Sequence, residues 1–485
     1  MSQSRAILAA LKKELRVLAA PWLAVVVAVA LASGAHKLGS SAAFDTLVIQ
    51  VMIAGAICLG AWSVGHDYSN GTLSLLLSQP VPRRSVWATK LLVLAVLLAV
   101  PAAIVVQQLP GEYFFVSLGT TTGLTLAAWL TMASGSARGG MVFTTAVLVF
   151  WLIAGMWAGE TVAARYPETW PDSQWLARAV VEWGYAGIVV VAGVLGWRAF
   201  GRLQAMDERS DAVSLARLWP VVAADRRAGG PRRRGAFLTL VDKELALQQP
   251  VLIVSALYVT ASLVDLLVSG VAFHQRLMYG LTSIHAGIVP LLSGALASAE
   301  ERRLGTIEWQ VQLPVSSAQQ WFLKVSVTIA LSLVLVLGAP YAISLVDSSG
   351  FAGRDIQDFV SPMFGLLVVA LATTGLFISS LSRNGLHALL VSVPASLFVL
   401  IAGADLGRRH FRAAAFTDYD RLFVGVILLA AIAGYVALAL RFAGVNHRSA
   451  ARPLRRVVEQ VVALLVYPLA AIVTIRVVLL ILLGR

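Results

Sequence analysis

Charge is scarce in this chain and cysteine almost absent. Only 13% of its 485 residues are Asp, Glu, Lys or Arg, while 58% are hydrophobic and the mean hydropathy is +0.80. Soluble domains carry roughly twice that share of charge, so a water-soluble globular fold is excluded. Cys58 is the sole cysteine and lies inside an apolar run, so a disulfide framework, a thiolate cluster and a cysteine-based zinc site are all ruled out within one chain. Also missing are a Gly-x-x-x-x-Gly-Lys-Ser/Thr phosphate loop, a His-Glu-x-x-His zinc helix and a Gly-x-Ser-x-Gly nucleophile turn. The expectation is therefore no enzyme, no catalytic residue, no metal and no cofactor held by the chain itself. His66, His274, His285 and His410 are scattered around loops or span ends and read as solvated side chains. The net charge of +13 is spread over many short segments without one basic, aromatic-rich patch, which argues against nucleic acid and for topological signals.

What the chain has is apolar length. About 20 mostly apolar residues cross a bilayer as a helix, and runs of that size follow one another along nearly the whole sequence. The expected fold is all-α, a polytopic membrane helical bundle. Six crossings fall at about 18–35, 45–65, 89–109, 113–134, 139–159 and 181–200. Six more fall at about 250–270, 281–299, 325–346, 359–379, 386–404 and 421–441. Val461–Leu483 is long enough for a thirteenth crossing, with an in-plane helix as the alternative, so the total is 12–13 spans. With the N-terminus inside, about 27 Lys and Arg lie on the cytoplasmic side and about 9 outside, the positive-inside asymmetry. Lys12, Lys13 and Arg16 ahead of an apolar stretch ending Ala30-Leu31-Ala32 resemble a signal peptide, but cleavage there would leave five spans in a half whose counterpart keeps six.

That counterpart is visible as an internal repeat. His66–Lys90 and Glu300–Lys324 are polar stretches after the second and eighth spans. Gly71, Thr72, Pro80, Val81, Trp87 and Lys90 recur as Gly305, Thr306, Pro314, Val315, Trp321 and Lys324, six identities in 25 aligned positions at one offset of 234. Composition alone would supply roughly two. Upstream, Lys13-Glu14-Leu15 and Pro21 are echoed by Lys243-Glu244-Leu245 and Pro250. Apolar residues there fall at helical spacing, so each half is expected to start with an amphipathic surface helix, closed by its proline. The division is then 1–200 for the first six-span unit, 201–235 for a basic cytoplasmic linker, 236–442 for the second unit and 443–485 for a basic tail with the extra helix. An even span number gives both units the same orientation, as parallel repeats.

Within each loop a glycine permits a turn at the foot of the preceding span, and a proline stops one short segment and starts another. "RRSVWATK" and "SAQQWFLK" then read as a short helix leading into the next span, with Lys90 and Lys324 at the lipid boundary. A short cytoplasmic helix joined to two spans suits a partner that pushes.

The stretch "GTLSLLLSQPVPRRSVWATK", and more weakly "EERRLGTIEWQVQLPVSSAQQWFLK", resembles the cytoplasmic loop of ABC-type export permeases of the second class. The second copy departs from it at Ser317, where the first has Arg83, and Asp67 stands where the second has Glu301. The resemblance implies two permease units fused in one chain, exporting a hydrophobic or amphipathic substrate from the inner (plasma) membrane of a prokaryote. It also implies a separate cytoplasmic ATPase subunit, two copies of it, holding the ATP and magnesium. Asp67, Gly71, Thr72, Pro80, Arg83, Arg84 and Lys90 would form the first ATPase-coupling loop, and Glu300, Glu301, Gly305, Thr306, Pro314 and Lys324 the second. Lys12, Lys13, Glu14, Lys243 and Glu244 mark the surface helices. The alternative is an ion-coupled secondary transporter of two six-span halves, for which Asp265 is the best intramembrane ionisable candidate. Thr120, Thr121, Thr122 and Thr125 are expected to bond carbonyls of their own helix.

Overall fold

A computed structural model describes residues 3–38, 42–69, 72, 82–165, 173–202, 236–268, 271–303, 315–346, 362–382, 384–397, 418–449 and 453–483. All regular structure among them is helical. The chain divides into two compact units, Met1–Arg233 and Arg234–Arg485.

The first unit holds α1 (Gln3–Leu38), α2 (Ala42–Ser69), α3 (Arg83–Gln108), α4 (Tyr113–Ser134), α5 (Ala137–Arg165) and α6 (Ser173–Arg202). The second holds α7 (Ala236–Leu247), α8 (Gln249–Val268), α9 (Val271–Arg303), α10 (Ser317–Val346), α11 (Pro362–Leu381), α12 (Gly385–Leu397), α13 (Asp418–Arg448) and α14 (Leu454–Leu483). Twelve of these are long and apolar enough to cross a bilayer. The chain is an integral, multi-pass membrane protein, because in hydrocarbon a helix satisfies every backbone group within itself.

Eleven of the twelve coincide with spans among the first twelve expected, and the other, Leu454–Ile475 in α14, overlaps the further crossing expected at Val461–Leu483 and starts seven residues before it. The expected span at 386–404 is described only as α12, whose 13 residues rise about 20 Å, short of the roughly 30 Å hydrocarbon core. Its remaining residues lie outside the described set.

The start of each unit differs from expectation in one respect. Helix α1 runs unbroken through Pro21, so the amphipathic segment is the first turns of the span itself. In the bilayer, leaving the helix would strand more backbone groups than the one bond proline removes. In the second unit the helix does break. Gln248 turns the chain between α7 and α8, its N–H reaching the Leu245 carbonyl at 3.1 Å, and Pro250 sits in the first turn of α8, where its missing N–H costs nothing. The short helices expected before the third and ninth spans are likewise the opening turns of α3 and α10. Helix α10 begins with a capping box: the Gln319 N–H donates to Ser316 Oγ at 3.3 Å and the Ser316 N–H to Gln319 Oε1 at 3.1 Å.

Helices α2 and α9 are the centres of their units. Around α2 a core of Val64, Val86, Trp87, Ala128, Met132 and Phe200 joins α3, α4 and α6, with the Trp87 and Phe200 rings 5.0 Å apart. Each central helix also meets the fourth span backbone to backbone. Any side chain at Gly60 would collide with the Gly123 carbonyl, and a Cβ at Gly123 would lie 2.5 Å from the Ala56 carbonyl oxygen. In the second unit a side chain at Gly294 would collide with the Ala372 carbonyl, and a Cβ at Gly375 would lie 2.7 Å from the Leu291 carbonyl oxygen. Such crossings let apolar helices gain dispersion contact where no hydrophobic force drives them together. The residue before each fourth-span glycine repeats as well. Thr122 meets the Tyr185 hydroxyl, and Thr374 Oγ1 lies 3.0 Å from the Tyr435 hydroxyl.

Candidate functional site: a duplicated ion-pair knot

At the foot of the first unit, Lys90 points inward from the second turn of α3 and is 2% exposed. Its ammonium lies 2.8 Å from Glu14 Oε1 on α1 and 2.8 Å from Asp67 Oδ2 near the end of α2. The third donor goes to the Ser63 carbonyl at 2.9 Å. All three hydrogens of the ammonium are thus used. Half-buried Lys13 closes the set, 3.0 Å from Asp67 Oδ1. Thr72 then fastens the loop to it, donating its hydroxyl to Asp67 Oδ1 and its N–H to the Asp67 carbonyl, both at 3.0 Å.

The second unit repeats this arrangement. Lys324, 1% exposed, lies 2.8 Å from Glu244 Oε2 and 2.9 Å from Glu301 Oε1, and donates to the Ala297 carbonyl at 2.7 Å. Lys243 pairs with Glu301. Ser63 and Ala297 each stand four residues before the acid, one helical turn further from the loop, and offer the ammonium only their carbonyls, so the side chain there is free to vary.

Each knot has two cations and two anions, which is why burial is tolerated. A buried charge is costly unless paired and hydrogen-bonded, and here each buried ammonium faces two carboxylates and a carbonyl, one acceptor for each of its three hydrogens. Glu244 is the one carboxyl of the four outside the candidate spans. Burial pushes its pKa above the ordinary carboxylate value, Lys324 pulls against that, and neighbouring Glu301 adds to the rise. Mechanically, a knot ties three elements into one: the N-terminal helix and both flanks of the polar loop.

The expected site residues therefore sort by position. Glu14, Asp67, Lys90, Glu244, Glu301 and Lys324 are brought together inside the units. Lys90 and Lys324 do not stand at a lipid boundary, because two acids and a carbonyl draw each ammonium inward. Glu300 is also buried, one residue before the knot, while Thr72 and Arg83 are half-buried. Lys12 and Arg84 are exposed and stand outside the knot. Gly71, Pro80, Gly305, Thr306 and Pro314 lie outside the described residues. The pairing of Glu14 with Lys90 and of Glu244 with Lys324 escaped sequence reasoning, although all four residues had been singled out as repeated.

The threonines of α4 behave largely as expected: Thr120, Thr121 and Thr125 donate to carbonyls of Val116, Ser117 and Thr121 in their own helix. His285 does not. It is buried on α9, stacked on Tyr258 of α8 with ring centres 4.1 Å apart, and its Nε2 lies 3.1 Å from Ser255 Oγ. Tyr258 in turn meets Thr282 Oγ1 at 2.9 Å. At the offsets that superimpose the knots, Ser255, Tyr258, Thr282 and His285 correspond to Val25, Ala28, Val48 and Val51, all buried and apolar. This polar seam belongs to the second unit alone. Asp265, seven residues beyond Tyr258 on α8, is buried too. Among the described residues no group of His, Cys, Asp and Glu could hold a metal ion.

Fold and site together define a polytopic, transporter-like membrane protein. Compared with known proteins, the chain matches no family model, no curated protein and no solved structure.

Proposed function

We propose that this chain is the membrane-spanning permease of an ATP-driven exporter, in which each polar loop is a handle for a separate cytoplasmic ATPase subunit. The observation that supports this reading best is the duplicated knot. A loop whose two flanks and a third helix are locked together by buried charge cannot be displaced alone, so a push on it moves the foot of a whole unit. Two such handles fit two ATPase copies, which would carry the ATP and magnesium. Closure of that pair on ATP would then displace both units and release an apolar or amphipathic substrate outward. The N-terminus and both loops belong on the cytoplasmic face of a prokaryotic inner membrane in this reading, as the positive-inside asymmetry requires.

Co-purification with candidate nucleotide-binding subunits, followed by assay of their ATPase activity, tests it. Gly71→Pro and Gly305→Pro, which stiffen the handles and replace no charged residue of the knots, are expected to cut substrate-stimulated ATP turnover by about tenfold or more while leaving the permease folded. Unchanged turnover in the doubly substituted chain, or no ATPase partner at all, would reject the reading.

The rival is an ion-coupled carrier, and the second unit's polar seam is the observation in its favour, since buried ionisable groups mark ion paths. His285→Val separates the two. The first unit packs valine at the equivalent place, so the fold is expected to survive. An ATP-driven exporter is expected to keep transport within about twofold, whereas a proton-coupled carrier would lose it. Vesicle uptake driven by a pH gradient without nucleotide reads the difference directly.

A further inference from the structure

The exposed faces of α1 and α3 carry, near their feet, cations that the knot does not use. On α1 the exposed stripe runs Leu8, Lys12, Leu15, Arg16, Leu23, Val27, with Leu23 56% and Leu15 45% exposed. On α3 it runs Arg84, Ala88, Leu92, Val96, Val100, with Leu92 60% and Val96 59% exposed. The two helices lie side by side and parallel: Lys90 bonds Glu14 at 2.8 Å, and eight residues further along α1 the Trp22 indole donates to the Leu97 carbonyl at 2.8 Å. At 1.5 Å per residue, Arg16, Lys12 and Arg84 stand roughly 9, 15 and 20 Å below the Trp22–Leu97 contact. Three cations thus lie near the foot of two apolar stripes on neighbouring helices, spread over about 11 Å of depth.

The second unit shows that the fold does not demand them. Its equivalents, Asp242, Ala246 and Ala318, are also exposed, and none is a cation. The same three surface positions carry a charge of +3 in one unit and −1 in the other, while the buried knots beside them are alike.

We propose that Lys12, Arg16 and Arg84 form a binding site for anionic phospholipid headgroups at the foot of the first unit, with no counterpart in the second. The apolar stripes above the cations take the acyl chains, and the ammonium and guanidinium groups take the phosphate and the net negative charge of the lipid. An acidic protein surface would satisfy the cations equally well. It would not account for their place among exposed apolar side chains, near the foot of stripes that continue into the bilayer. The proposal stands independently of what drives transport.

The test uses the full chain in phosphatidylcholine nanodiscs titrated with fluorescent phosphatidylglycerol. Lys12→Asp/Arg16→Ala/Arg84→Ala, which gives the first unit the residues of the second, is expected to weaken phosphatidylglycerol binding on the order of 10- to 100-fold and to remove its salt dependence. The reciprocal Asp242→Lys/Ala246→Arg/Ala318→Arg is expected to add a second site of similar affinity, and this gain keeps the test decisive even if the first variant folds poorly. Equal binding by all three proteins overturns the proposal. So does competition by inorganic phosphate at the lipid's own concentration, which would make the site one for free anion. Loss of an ATPase partner with lipid binding unchanged would overturn it too, assigning the cations to an acidic protein face.

Discussion

Lys90→Met is expected to remove most folded chain, measured as the monodisperse fraction after detergent extraction and as a fall in melting temperature. The ammonium sits 2.8 Å from each of two carboxylates that are themselves almost wholly buried. Without it, Glu14 and Asp67 face one another with Lys13 as the one remaining cation of the knot. Breaking a buried pair by removing one partner costs roughly 3–5 kcal/mol, a large part of the stability of an ordinary domain. The compensating variant is the sharper measurement. Lys90→Met/Glu14→Gln/Asp67→Leu removes every charge the ammonium balanced and is expected to recover more than half of the lost stability, because an apolar replacement of an ion-pair set is often nearly neutral. If the triple variant is no better than the single one, the knot is not the source of the loss. Lys324→Met in the second unit is expected to behave the same way, and the two losses to be nearly additive, since the knots share no residue. The triple variant also bears on function: a chain that folds without the knot but no longer stimulates an ATPase would show that the buried charges transmit force as well as hold the fold.

Gly60→Leu is expected to be comparably severe. The obstacle is the backbone of α4 at Gly123, which cannot swing aside as a side chain can. The helices must separate, costing about 3 kcal/mol or more and loosening the Thr122–Tyr185 contact next door. Gly294→Leu is expected to do the same between α9 and α11. Gly187→Ala is the control: it lies on an exposed helix face with nothing within 4 Å of the added carbon, and a stability change within about 1 kcal/mol is expected, on the stabilising side. Thermal unfolding of the purified variants, followed by loss of tryptophan signal, distinguishes the two classes.

Much of the architecture was legible because the bilayer simplifies the code. Wherever some 20 apolar residues run together the backbone has one economical solution, and eleven of the expected spans are helices of the right length at the right place. The short helix α12 and the span in α14 were less readable, since hydropathy fixes whether a segment can cross and not how long its helix continues. The repeat was legible as paired identities, and it named most of the knot. What it lacked was the pairing. Glu14 and Lys90 are 76 residues apart, and nothing in single-sequence periodicity joins two helices across that gap. One clue was present: Lys13-Glu14 and Lys243-Glu244 lie 230 apart and the loop pairs 234, a difference of about one helical turn, so equivalent residues face the same way in both units. His285 was misread as solvated because a lone histidine near a span end usually is. Its stacking on Tyr258 depends on how α8 and α9 happen to lean.

By itself the sequence determined that this chain is helical, crosses a membrane many times and carries the same plan twice, since apolar run length and an internal repeat are properties of the linear string. Only the tertiary structure decided which charges are buried and which exposed. Lys90 and Arg84 are both basic residues on one short helical stretch, six positions apart. One turns towards two acids and a carbonyl on neighbouring helices, the other towards open surface, and that choice is made by helix rotation and by partners far away in the chain.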